Sequence, residues 1–154
     1  MTAEQIFSIC STLALAGWLL LLFAGNSRVH RPVAVISGVI LPLTLAVVYT
    51  VLVGAHWGDS HPGEHPGGPR GGFSTLAAVA VLFSNQWLLL AGWVHYLAFD
   101  LFIGAWEARD ARTHGISHLL VIPCLLLTFL FGPVGLLLYL ALRAARTKTI
   151  AITV

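Results

Sequence analysis

The run from Ile6 to Ala24, IFSICSTLALAGWLLLLFA, contains no charged residue, and a stretch of that kind limits a chain more than any motif does. About 20 mostly apolar residues in α-helical form cross a hydrocarbon layer of roughly 30 Å. Inside such a layer each backbone N–H and C=O must be paired within the protein, which leaves a helix as the structure for an isolated run. Comparable runs recur at about residues 33–55, 73–106 and 116–143. Of 154 residues, 58% are hydrophobic and 9% are charged, against roughly 25% charged in a soluble domain. No length remains for a separate soluble domain. The expected fold is an all-α membrane protein, with four transmembrane helices and a short interfacial or re-entrant helix in one membrane domain over residues 1–154.

Gly25 and Asn26 can end the first span, about 6–24, and Pro32 can open the second, about 33–55. Pro42 removes one backbone donor inside that second span and predicts a kink. Residues 56–72, HWGDSHPGEHPGGPRGG, are rich in Pro and Gly and read as a solvent-facing loop. The apolar stretch that follows is too long for one upright span and too short for two. It resolves into a helix at about 74–83, capped by Ser74 or Thr75, and a third span at about 87–107, capped within Ser84, Asn85 and Gln86. The last span, about 116–143, is interrupted by Pro123 and by Gly132 to Gly135, and leads into a tail with Arg143, Arg146 and Lys148.

With four crossings, Arg28, Arg31, Arg109 and Arg112 fall on one membrane face while Arg70, Arg143, Arg146 and Lys148 fall on the other. Loop charge then sets no orientation. Glu4 stands where a signal peptide would carry basic residues, so the first segment reads as a retained span. No Ser- and Arg-rich transit sequence precedes it, and the expected location is a bacterial inner membrane.

The net charge of +2 comes from scattered Lys and Arg, which excludes a nucleic-acid surface. Cys10 and Cys124 lie in apolar segments, where free cysteine behaves as a small hydrophobe. His56, His61 and His65, with Asp59 and Glu64, have weak metal-site spacing on a Pro- and Gly-rich background and read as part of the solvated loop. No metal and no cofactor is expected.

The third span carries a polar stripe. At about 100° per residue, Asn85, Trp93, His95, Tyr96, Asp100, Glu107 and Asp110 share one broad half of the helix. Tyr96 and Asp100 are four apart and neighbours, whereas His95 and Asp100 are roughly 140° apart. A charge at mid-membrane costs at least about 2.5 kcal/mol on insertion scales, so Asp100 needs a partner, a wet cavity or a proton. Asp100, His95 and Tyr96 are the catalytic candidates, and Trp93, Phe99, Phe102 and Asn85 the candidates for ligand contact. The alternative is that Asp100 and His95 are hydrogen-bonding groups that fix the bundle. Glu107, Arg109, Asp110 and Arg112 read as a solvated face at the membrane boundary.

AGWVHYLAFDLFIGAW (Ala91 to Trp106), followed by IPCLLLTFLFGPVGLLLYLALR (Ile122 to Arg143), resembles the abscisic acid deficient 4 family, the plant neoxanthin synthase family. The resemblance places His95, Asp100 and Phe102 on the family's polar and aromatic signature, and Gly132, Pro133 and Gly135 at the break in the last span. It implies an integral membrane protein of plastids or bacteria acting in carotenoid metabolism, associated in plants with converting violaxanthin to neoxanthin. That conversion is a redox-neutral, isomerase-type epoxide opening, needing one acid and one base. On this reading Asp100 is the acid, His95 the base and Tyr96 an aid to the oxygen. The expected partners are a carotenoid or other lipophilic small molecule and membrane lipids, with homo-oligomerisation left open. Two other readings stay open: a non-catalytic carotenoid- or lipophile-binding protein, and a small haem or metal bundle pairing His95 with His30, His114 or His118. A proton path through Asp100 ranks last.

Overall fold

A computed structural model describes residues 1–24, 30–59 and 71–147. The described residues are helical with short connections, and no strand occurs among them. Helix α1 is Ala3–Ala24, α2 is His30–Val35, and a π-helical turn at Ile36–Ile40 joins α2 to α3 at Leu41–His56. A 3-10 turn at Trp57–Asp59 follows, then α4 at Leu76–Ser84, α5 at Gln86–Thr113, α6 at His118–Phe131 and α7 at Pro133–Thr147. Among the described residues, three helical segments are long and apolar enough to cross a membrane: Ala3–Phe23, His30–His56 and Gln86–Thr113. Most of the loop expected at 56–72, with His61, Glu64, His65 and Arg70, lies outside the described residues, as do Arg28 and Lys148.

The chain forms two compact units, Met1–Thr12 with Leu43–Leu97, and Leu13–Pro42 with Ala98–Val154. In the first, the expected short helix is α4. Thr75 caps it from an extended backbone, its Oγ1 accepting from the Ala78 N–H at 3.1 Å. Helix α5 starts on Asn85, whose Oδ1 accepts from the N–H groups of Trp87 at 2.8 Å and Leu88 at 3.3 Å. The Asn85 carboxamide oxygen is thus engaged in capping.

In the second unit, Trp18, Leu21, Val33, Leu101, Leu125 and Tyr139 belong to one buried cluster. The proline at position 42 has no N–H and its ring crowds the preceding turn. The backbone answers with the π-turn just before it, in which the Leu41 N–H bonds to the Ile36 carbonyl. Within that turn Ser37 is buried and donates its hydroxyl to the Gly17 carbonyl at 3.1 Å.

The segment expected as one last span is two helices that fold back on each other. Gly132, at φ +47°, ends α6 in a conformation that favours glycine, and Pro133 opens α7. Gly135 then lies directly against the Thr128 main chain and hydroxyl and the Cys124 carbonyl, so α7 runs back beside α6. Ring contact of Tyr139 with Trp106 at 5.5 Å, and of Arg143 with His114 at 3.1 Å, follows α7 back along α5 toward the end of that helix. A hydrophobic run of 28 residues looks like a crossing by length alone. A glycine in the left-handed region followed by Pro and a second close-packing glycine makes it a hairpin.

Candidate functional site

In the first unit, α3 and α5 each present one helical face to a cavity of about 340 Å³. Tyr49 and Val53 of α3 are four apart, and Leu88, Ala91, Gly92 and His95 of α5 follow the i, i+3, i+4, i+7 spacing of one face. Trp57, Phe73 and Phe83 add aromatic walls. The Phe83 ring packs so near Gly92 that a Cβ there would come within 2.6 Å of it. Glycine at position 92 therefore lets this wall approach α5. The polar groups of the lining are the Trp57 indole N–H, the His95 imidazole and the Tyr49 phenol, the last two with ring centroids 5.3 Å apart. Small-molecule sites of roughly 300–1,000 Å³ have this make-up, an apolar wall with few convergent polar groups. An imidazole and a phenol can between them accept and donate a proton.

The other candidates read from α5 lie elsewhere. Trp93 and Tyr96 have ring centroids 5.5 Å apart, and Trp93 also packs on Phe7 at 5.6 Å and donates its indole N–H to Ser11 Oγ at 3.1 Å. Neither lines the His95 cavity. Asp100 belongs to the second unit, where its carboxylate packs against Gly132 at the hairpin apex, 2.9 Å from where a Cβ would stand. Phe99 and Phe102, in the same unit, are exposed on the outer surface. Tyr49 was missed from the sequence, where it is one aromatic among many in an apolar span. Its spacing from Val53 and Trp57 was the available signal.

Of the boundary charges of α5, Arg109 and Arg112 are exposed, as expected of a solvated face, whereas Glu107 and Asp110 are covered by protein. Glu107 has no exposed surface, and Thr128 Oγ1 lies 2.9 and 3.1 Å from its two carboxylate oxygens, sharing one proton between them. Asp110 meets a fully buried Arg143, with Nε 2.9 Å from Oδ2, and accepts a hydrogen bond from the Tyr139 hydroxyl. Arg143 can only donate, so His114 Nε2 accepts from it and Nδ1–H donates to the Asp110 carbonyl at 2.8 Å. The returning α7 covers the face of α5 that a straight last span would have left to water.

These bonds also occupy two of the histidines considered as cofactor ligands. His114 is held by Arg143 and Asp110, and His118 donates from Nε2 to the Leu22 carbonyl at 3.1 Å. His56 stacks on Trp87, with ring centroids 4.5 Å apart. Among the described residues no group of three or more His, Cys, Asp or Glu side chains is placed to hold a metal ion.

No curated protein and no solved structure matches the chain. Residues 5–139 match the family described as ABA DEFICIENT 4-like. With most of its length inside that match, and three helices apolar enough to cross a membrane, the chain belongs to the ABA DEFICIENT 4-like family and is a carotenoid-related membrane protein.

Proposed function

We propose that this is a multi-pass protein of a bacterial inner membrane that takes one end ring of a carotenoid into the Tyr49 and His95 cavity and rearranges it without net oxidation or reduction. The observation that carries this reading is the pairing of one base and one hydroxyl in an aromatic-walled cavity, in a chain of this family. In the neoxanthin synthase-like version of the reaction an epoxide C–O bond breaks and its oxygen takes a proton. The adjoining polyene carbon loses a proton, and its electron pair forms the new double bond, so atoms and electrons balance. His95 is the base, and the Tyr49 hydroxyl is the donor that the cavity itself offers to the oxygen. Asp100, the acid expected from the sequence, enters the test beside it.

Pigment chromatography of a carotenoid-producing host, with and without the gene, checks the proposal. The gene should produce a rearranged carotenoid of unchanged mass, and His95→Ala should lower its yield by about 10²-fold or more, the usual contribution of a positioned acid or base. Tyr49→Phe should do the same, with Asp100→Asn milder. Loss with Asp100→Asn and full yield with Tyr49→Phe would return the acid's role to Asp100. Full yield with His95→Ala would sink the cavity as the site. Carotenoid that purifies with the protein chemically unchanged, with no conversion in cells, favours the non-catalytic reading, which the aromatic walls also suit.

A further inference from the structure

A second, smaller cavity, of about 60 Å³, lies in the unit that contains the hairpin. His30 at the start of α2 and Arg109 and Arg112 on α5 line it, over an apolar floor that includes Leu21, Val33 and Ala105. The two arginines are three apart and share a helix face. No carboxylate lines the space. Glu107 is turned to Thr128, and Asp110 to Arg143, Tyr139 and His114. The Arg109 side chain makes no hydrogen bond or ion pair among the described residues, and the buried His30 Nδ1 has no hydrogen-bond partner there either. The side chains of His30, Arg109 and Arg112 therefore border this volume, which exceeds the roughly 10–15 Å³ that one water needs. That is room for one small polyatomic anion, and the forked donors of arginine suit phosphate oxygens.

The hairpin strengthens the case. Because α7 returns along α5, Arg143 and Arg146 end near the Arg109 and Arg112 end of the unit, rather than opposite it. All of the described Lys and Arg side chains, namely Arg31, Arg109, Arg112, Arg143 and Arg146, belong to this unit. Basic residues gather on the cytoplasmic side of membrane proteins, where the leaflet is rich in anionic lipid, and basic pockets between helices there bind lipid headgroups.

We propose that His30, Arg109 and Arg112 form a phosphate-binding site, whose occupant is the headgroup phosphate of an anionic phospholipid. Free inorganic phosphate has the same chemistry, and the place of these basic residues on two helices apolar enough to cross a membrane favours the lipid. The test uses the full chain in a nonionic detergent, titrated with phosphatidylglycerol, with phosphatidylcholine of the same acyl chains, and with inorganic phosphate, while thermal unfolding is followed. Phosphatidylglycerol should stabilise the protein at concentrations at least about ten-fold lower than phosphatidylcholine. Arg109→Glu, at an exposed position that leaves the fold intact, should abolish that preference, and His30→Ala should weaken it. Arg146→Ala, outside the cavity, should leave it in place. Stabilisation by millimolar inorganic phosphate, lost in Arg109→Glu, would keep the site and assign it to the free anion. Equal response to the two lipids with none to phosphate, or an unchanged preference in Arg109→Glu, would overturn the proposal.

Discussion

Gly135→Val should destabilise the protein by about 3 kcal/mol or more, at the upper end of what overpacking costs. Most overpacked positions relax by turning a flexible side chain. At Gly135 the atoms in the way are the Thr128 amide nitrogen and hydroxyl and the Cys124 carbonyl, two of them main chain. Neither helix of the hairpin can yield without moving as a body. Pushing α7 away from Thr128 also displaces the one hydroxyl that holds the buried Glu107 carboxylate. The consequence is a coupled loss of packing and of a buried hydrogen bond. Thermal unfolding in detergent should show a melting point lower by roughly 10 °C, on the scaling known for chains of this size. Gly54→Ala on α3 is the control, since nothing lies within 4 Å of a Cβ there and alanine favours a helix by about 0.5–1 kcal/mol over glycine. A Gly135→Val protein that melts with the wild type would mean that α6 and α7 are not in close contact.

Arg143→Leu is the second large effect, expected at about 3–5 kcal/mol, because removing one member of a buried ion pair strands the other. Arg143 is fully buried, and Asp110 depends on it and on the Tyr139 hydroxyl. His114 loses its Nε2 donor in the same substitution. Adding Asp110→Asn should recover a substantial part of the loss, since a neutral amide no longer needs a counter-charge and its oxygen still accepts from Tyr139. A double-mutant cycle on melting points reads this coupling directly. Additive losses from the two substitutions would show that the pair contributes no coupling.

Much of the helical framework was legible in the sequence because it depends on local chemistry. Apolar length marked the segments that became α1, the α2 to α3 pair and α5, and Thr75 and Asn85 announced their helices as short polar side chains at the ends of apolar runs. Pro42 predicted a disturbed backbone, although not that a π-turn would absorb it. The site was legible only in part. His95 stood out as an ionisable group in an apolar helix, but its neighbour Tyr49 is 46 residues earlier and no periodicity connects them.

By itself, then, the amino-acid order determined an all-helical, lipid-compatible chain of this family, because hydrophobic length, proline and capping residues act over a few neighbours. Tertiary structure alone decided what the last apolar segment does and what the charges of α5 face. Its direction turns on one glycine at φ +47° and on the close approach of Gly135 to Thr128, and neither is a property of hydropathy. Thr128 of α6 takes Glu107 out of an apparent water-facing stripe into a buried hydrogen bond, and once α7 turns back Arg143 moves from an expected far-side tail to the partner of Asp110. Charges at a helix end look alike in sequence whether water or protein covers them. The covering segment, brought back from more than 20 residues away, makes the difference.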